Sequence, residues 1–321
     1  MTSMMMWFGT EERMQWVPIP QSGADVSPQN WNANGTLLDG GGYSFNSFGS
    51  HKQYQFSWDG ASAIKAAQTM ENYASGTYGE GLIYFQDPLT YRQNVLPAHW
   101  ADPSLALRGA PKLYRSLDLP VTKVVTPNPG PNELPLYGVK YDLSQVGPAY
   151  PQAIDTLFIP VPPGMNLAVG AIYTATGTGA IYAHSYGGTD LGVKTTLTRV
   201  APDAEIIAPD IIQPGTRGVR LYLGTNSLSA SNSVTIHAIV ARLVIGDFVE
   251  GVGYGEGEYG GGVYGGAAHA PGGVFGPWAG GQGNSGCRFV GHPTRILISG
   301  INGGQVQYAT TLKEVGPWMV G

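Results

Sequence analysis

His51-Lys52-Gln53-Tyr54-Gln55-Phe56-Ser57-Trp58 decides how this chain folds. Tyr54, Phe56 and Trp58 alternate with Gln53, Gln55 and Ser57. Successive residues of a strand point to opposite faces, so this pattern predicts a half-buried strand with an aromatic inner face. One helix is predicted directly after it, over 61–73, with Asp59 or Ser62 as its cap. Ile64, Ala67, Met70 and Tyr73 recur every three residues as its apolar stripe, and Gly76 ends it. Leu82-Ile83-Tyr84-Phe85 then reads as a buried strand closed by Asp87-Pro88, and Asp102-Pro103 as the start of a short helical turn to Leu107.

Upstream, Met14-Gln15-Trp16-Val17-Pro18 reads as a short strand stopped by proline. Residues 22–42 read as turn-rich, with Asn34-Gly35 as a hairpin dipeptide. Downstream, residues 126–135 hold four prolines and predict a stiff linker. Seven short strands are predicted beyond it, at 156–159, 167–174, 180–184, 193–199, 205–207, 218–223 and 233–245. They are separated by Gly- and Pro-rich turns and show no helical period, which argues for a sandwich or jelly roll. Residues 251–266 interleave tyrosine with glycine, and glycine loses the most backbone entropy on ordering. The last strands, Ile296-Leu297-Ile298 and Val306-Gln307-Tyr308-Ala309, flank the turn Asn302-Gly303-Gly304. A lone hairpin is marginal in water, so they are expected to pack on another domain.

The expected layout is therefore mainly β in five parts. These are a β domain over 1–125 with one inserted helix, a linker over 126–135, a β-sandwich or jelly-roll domain over 136–245, a Gly-rich arm over 246–286, and C-terminal strands over 287–321.

The 321 residues include 48 glycines and 24 prolines, while charged residues are only 12%. A net charge of −5 argues against a nucleic-acid binder. No apolar run reaches the length of a membrane-spanning helix, and Met4 to Phe8 is too short for a secretory h-region. One cysteine, Cys287, forms no intrachain disulfide and no zinc site by itself. Few charges alongside 18 tyrosines and 7 tryptophans suggest surface buried against other chains, because interfaces gain aromatics and lose Lys and Glu.

Catalytic patterns are weak. Residues 255–260 match G-x-G-x-x-G, but glycine-rich flanks replace the strand and helix a dinucleotide site needs. Ser285 lacks the nucleophile elbow. His51, His99, His184, His237, His269 and His292 show no metal-ligand spacing, and His237 reads as a structural histidine. Asp203, Glu205 and Asp210 are the densest acidic group in the sandwich, read as a solvated edge ahead of a calcium site or a glycosidase pair. Neither an enzyme nor a cofactor is expected. Tyr173, Tyr182, Tyr186 and Tyr222 lie in or beside sandwich strands and are candidate glycan contacts, with core packing as the competing reading.

Several motifs carry a resemblance. They are Trp7-Phe8-Gly9, Met14 to Pro18, Leu38-Asp39-Gly40-Gly41-Gly42-Tyr43, Ser50-His51-Lys52, the strand ending in Trp58, the stretch 281–291, and Lys313-Glu314-Val315-Gly316-Pro317-Trp318. Together they resemble minor tail proteins of long-tailed actinobacteriophages, and the two-part layout is similar to distal tail proteins. The resemblance implies a virion protein at the tail tip, with a barrel-like N-terminal domain that forms a ring and a sandwich that projects outward. It implies a hexamer first and a trimer second, with other tail proteins as partners and no membrane insertion. The expected contact surfaces are Trp7, Trp16, Tyr54, Phe56 and Trp58, together with Tyr254, Tyr259 and Tyr264 of the arm. The alternative is a carbohydrate-binding adhesin that takes host-surface glycans.

Overall fold

The computed structural model describes residues 5–20, 25–36, 42–86, 94–97, 101, 121–126, 137–146, 157–187, 191–199, 210–215, 217–245, 283, 286–298 and 305–315. The protein is mainly β, with several antiparallel sheets and one helix among those residues. It divides into two compact units. The first combines Met1–Asp87, Arg108–Pro111 and Asn284–Gly321, and the second holds Pro88–Leu107 and Lys112–Gly283.

The first unit contains β1 (Met5–Gly9), β2 (Met14–Pro18), β3 (Asp25–Thr36), β4 (Gly42–Asp59), α1 (Gly60–Ala74) and β5 (Tyr84–Gln86). One antiparallel sheet runs β2-β1-β5. The aromatic strand forms the C-terminal half of β4. Tyr54, Phe56 and Trp58 are buried and Gln55 and Ser57 are exposed, as the period of two requires.

Helix α1 begins at Gly60 with Asp59 as N-cap, although the Asp59 side chain makes no capping bond. Ala63, Ala66, Ala67, Met70 and Tyr73 form its buried face. Ile64 was expected there and is instead 62% exposed. The reason is geometric. A helix turns about 100° per residue, so three-residue steps drift by about 60° each, and Ile64 ends opposite Tyr73.

The C-terminal strands belong to this unit. These are β15 (Cys287–Phe289), β16 (Thr294–Ile298) and β17 (Gln305–Glu314); strands β6 to β14 belong to the second unit. β17 lies along β4 from Gln307 opposite Asp59 to Lys313 opposite Gln53. This completes a second sheet, β15-β17-β4-β3, with β16 paired to β17. Reciprocal backbone bonds of 2.8 Å between Ile83 and Cys287 link the two sheets. Among the described residues both sheets are open, so the expected barrel-like closure does not appear as a closed barrel.

Side chains from both sheets and α1 share one core. The Trp58 indole N–H donates to the Pro18 carbonyl at 2.8 Å. Phe85 meets Tyr54 and Phe56 edge-on, at 4.8 and 5.2 Å between ring centroids. Glu314, buried on β17, accepts from the Tyr54 hydroxyl at 3.1 Å and from the Lys52 amide at 3.0 Å. Gly9 has φ +151°, and a Cβ there would stand 2.1 Å from the Arg13 carbonyl oxygen, so the β1–β2 turn requires glycine.

The second unit contains β6 (Val121–Val125), β7 (Tyr137–Asp142), β8 (Leu157–Pro160), β9 (Met165–Thr176), β10 (Ala180–Tyr186), β11 (Leu191–Thr196), β12 (Asp210–Ile212), β13 (Gly218–Gly224) and β14 (Ser233–Ile245). They form two antiparallel sheets, ordered β12-β9-β14-β7-β6 and β11-β10-β13-β8. Six of the seven predicted strands are present, and 205–207 lies outside the described residues. The Tyr173 hydroxyl on β9 donates to the Leu197 carbonyl just past β11, so it ties one sheet to the other.

β14 is buried along nearly its whole length. Asn94 serves its backbone by accepting from the Ala241 amide at 3.1 Å and donating to the Ile239 carbonyl at 3.4 Å. His237 is buried at a register shift between Ile236 and Ala238, with Nδ1 3.1 Å from the Thr126 hydroxyl. Burial pulls its pKa down to about 4. It is a neutral structural histidine at physiological pH.

Candidate functional site

Two places in the fold gather candidate chemistry, one in each unit. The first is the β3–β4 ribbon. Residues 25–36 read as turn-rich, yet they form a strand, and Asn34-Gly35 sits inside it opposite Ser44 and Tyr43. β17 covers β4 only from Gln53 to Asp59. From Lys52 back to Gly42, β4 pairs with β3 alone among the described residues. At about 3.4 Å per residue, the ten steps from Lys52 to Gly42 carry this two-stranded ribbon about 34 Å past the sheet, about 27 Å of it from Ser50 to Gly42. Residues 26–36 and 42–50 contain no Asp, Glu, Lys or Arg. Proteins usually guard free strand edges with charge, and this edge has none.

The register sorts the tip of the ribbon by chemistry. Asn32 stands opposite Asn46, and Asn34 opposite Ser44. Ala33 stands opposite Phe45, and Gly35 opposite Tyr43. Residues 33, 35, 43 and 45 therefore share one face, and 32, 34, 44 and 46 share the other.

The aromatics expected on a contact surface divide differently. Tyr54, Phe56 and Trp58 belong to the core of the first unit, where they hold β4 against α1 and Phe85. They carry no outward contact in this chain, because folding the sheet over the helix already consumes their apolar area. Trp16 is 37% exposed and packs on its cross-strand partner Trp7, with ring centroids 5.1 Å apart. Tyr254, Tyr259 and Tyr264 lie outside the described residues.

The second place is one face of the sheet β11-β10-β13-β8. Of the four candidate glycan tyrosines, Tyr173 lies in the other sheet, and its hydroxyl is committed to Leu197. Tyr182, Tyr186 and Tyr222 do share a face, because residues directly opposite each other across a ladder point the same way. Tyr182 stands opposite Tyr222 and Tyr186 opposite Gly218.

Between them runs a row that the sequence reading did not assemble. Lys194, His184, Arg220 and Phe158 lie side by side across four strands. The Lys194 ammonium lies 3.7 Å from the Tyr182 ring centroid, and the Arg220 guanidinium lies 4.8 Å from that of Tyr186. His184 meets Tyr222 edge-on at 4.8 Å. Among the described residues, no carboxylate occupies a register position on this face.

Burial, followed by the neighbouring Lys194, lowers the His184 pKa, so the ring is neutral at physiological pH. Burial raises the Tyr222 and Tyr182 pKa values, so both phenols stay protonated. The signal that could have exposed this row was present. Residues 184, 194 and 220 are basic at inward or outward positions of three predicted strands, but the strand order needed to align them was not legible.

The remaining candidates are structural or undescribed. Asp210 accepts from the Thr198 amide at 2.6 Å and from the Thr198 hydroxyl at 2.9 Å. Asp203, Glu205, Ser285 and residues 255–260 lie outside the described residues. Cys287 is buried, and burial, ahead of the Glu314 carboxylate, raises its thiol pKa well above the ordinary value. No group of three or more His, Cys, Asp and Glu that could hold a metal occurs among the described residues. No helix among them is long and apolar enough to cross a membrane. No protein-family model, curated protein or solved structure matches the chain.

Proposed function

We propose that the protein is a structural component of a phage tail tip, forming a ring or collar that joins the tail tube to the adsorption apparatus. The observation that carries this reading is the β3–β4 ribbon, about 27 Å of uncharged double strand that pairs with no third strand among the described residues. Such an edge is a template for pairing with another chain, and a lone hairpin is marginal in water. A ribbon kept free of charge suits burial against the next copy. Contacts of this kind, made head to tail, close a ring when the rotation per copy closes.

In this reading the first unit forms a barrel-like wall and the second a jelly-roll sandwich. The Trp7–Trp16 pair adds a second contact surface, and the Gly/Tyr arm wraps a neighbour. Six copies are favoured and three come second, as the resemblance to distal tail proteins implies.

Light scattering on the purified full-length chain tests the reading. A discrete hexamer or trimer is expected. Exchanging Asn32 and Asn34 for Lys, which puts like charges on one ribbon face, should shift that mass toward the monomer without changing the circular dichroism. Persistent assembly of the charged variant would remove the ribbon from the argument.

A further inference from the structure

We propose that the outer row of the β11-β10-β13-β8 sheet is a binding site for an acidic saccharide, in which Lys194, His184 and Arg220 take a carboxylate or phosphate and the flanking tyrosines take the sugar ring. The proposal is independent of the assembly reading, since it concerns the second unit alone.

Three observations support it. The first is charge. The two cations stand on either side of His184 on adjacent strands, so one oxyanion over the imidazole lies about one strand spacing, ~4.8 Å, from both strands. Among the described residues, no acidic residue holds a register position on this face.

The second is His184 itself. It is only 6% exposed, yet neither ring nitrogen has a hydrogen-bond partner among the described residues. Buried polar atoms are nearly always paired, and an orphaned one is costly. A neutral imidazole offers one N–H donor and one acceptor. A carboxylate or phosphate oxygen satisfies the donor, and a neighbouring sugar hydroxyl satisfies the acceptor.

The third is the tyrosines. The Tyr182 ring presents its face to the Lys194 ammonium, and the Tyr186 ring presents its face to Arg220. Lys194 is exposed, and Arg220 and Tyr186 are half-buried, so the row opens on that side. When Lys194 swings onto the anion, it uncovers an aromatic face. The C–H face of a pyranose then packs where the ammonium lay. A simple anion uses only the cations, and an extended acidic peptide has no flat ring to place there.

The test is calorimetric titration of the full-length protein with defined probes, with 15N-labelled histidine signals as a second readout. The probes are a galacturonate trisaccharide, a phosphate-substituted trisaccharide, the neutral galactose trisaccharide, inorganic phosphate and poly-glutamate. At least one acidic trisaccharide should bind saturably and shift the His184 ring signals. The neutral one should bind at least tenfold more weakly.

Lys194→Gln, at an exposed position, should weaken binding about tenfold, as loss of one charge-assisted contact does. Arg220→Gln should do the same, with an unfolding curve to show that the variant is folded. Failure of both acidic trisaccharides to bind, or binding unchanged in Lys194→Gln, would overturn the proposal. Equal affinity for inorganic phosphate or poly-glutamate would also overturn it, leaving an unselective anion site. The galacturonate and phosphate arms decide which oxyanion is recognised.

Discussion

Replacing Glu314 with Ala should cost the first unit about 4 kcal/mol. The carboxylate is buried and accepts from the Tyr54 hydroxyl and the Lys52 amide. Truncation leaves both donors without that acceptor. A buried group stranded in this way costs ~1–3 kcal/mol, so two together give about 4. Tyr54→Phe removes one donor and leaves the carboxylate on the Lys52 amide, so its cost should be about 1–2 kcal/mol. In the double variant no hydroxyl remains to be stranded. The two costs should therefore fall short of additivity by about 1–2 kcal/mol, as coupled neighbours do. Urea unfolding followed by tryptophan fluorescence reads the first unit through buried Trp58. With m near 2 kcal/mol/M, Glu314→Ala should lower the midpoint by about 2 M. Additivity within about 0.3 kcal/mol, or a cost below 1 kcal/mol for Glu314→Ala, refutes the view that this carboxylate staples β17 to β4.

The histidines set a pH slope. The folded pKa of His237 lies at about 4, below the ordinary 6.5, so the unfolded chain takes the proton first. Stability should be undiminished by this group above pH 6.5 and should fall as pH drops from 6.5 toward 4. His237→Gln should flatten that slope in acid-unfolding curves, leaving the smaller part due to His184. Gly9→Ala should lower the melting temperature of the first unit by more than 5 °C. It forces a Cβ against the Arg13 carbonyl and the Tyr73 hydroxyl and costs several kcal/mol. Cys287, buried and with a raised thiol pKa, should resist iodoacetamide in the native protein and react at the rate at which the first unit opens, a rate measurable by mass spectrometry. Deleting residues 251–266 should leave both units folded and reduce assembly in sedimentation; unchanged assembly refutes the arm's role.

Local pattern carried much of the fold. Tyr54, Phe56 and Trp58 alternate with glutamine and serine strictly enough to fix both the strand and its buried face. The helix was legible from its cap and apolar content, but its face was misjudged at Ile64, because counting by threes ignores the remaining 0.6 residue of each turn. Asn34-Gly35 was misread for a different reason. The dipeptide favours a turn locally, but the cross-strand ladder to Ser44 and Tyr43 carries it inside a strand, a choice made by partners distant in sequence.

Long-range pairing also decided the candidate sites. Nothing near Gln305 indicates that β17 lies against β4, and nothing near Lys194 indicates that Arg220 lies two strands away. Tyr182, Tyr186 and Tyr222 were legible as residue types. Their separation from Tyr173 needed the division into two sheets.

The return of β17 to β4 has a temporal consequence. Glu314 meets Tyr54 across 260 residues, and the whole of the second unit lies between them. On the ribosome, the sandwich strands can find their partners while the first unit still waits for its last ladder. Contacts of such separation close late and slowly. The β3–β4 ribbon grows out of the strand that waits, so its scaffold becomes rigid only when the final strand arrives. Synthesis order thus acts as a clock: the β3–β4 ribbon gains its rigid base only after the second unit has been made.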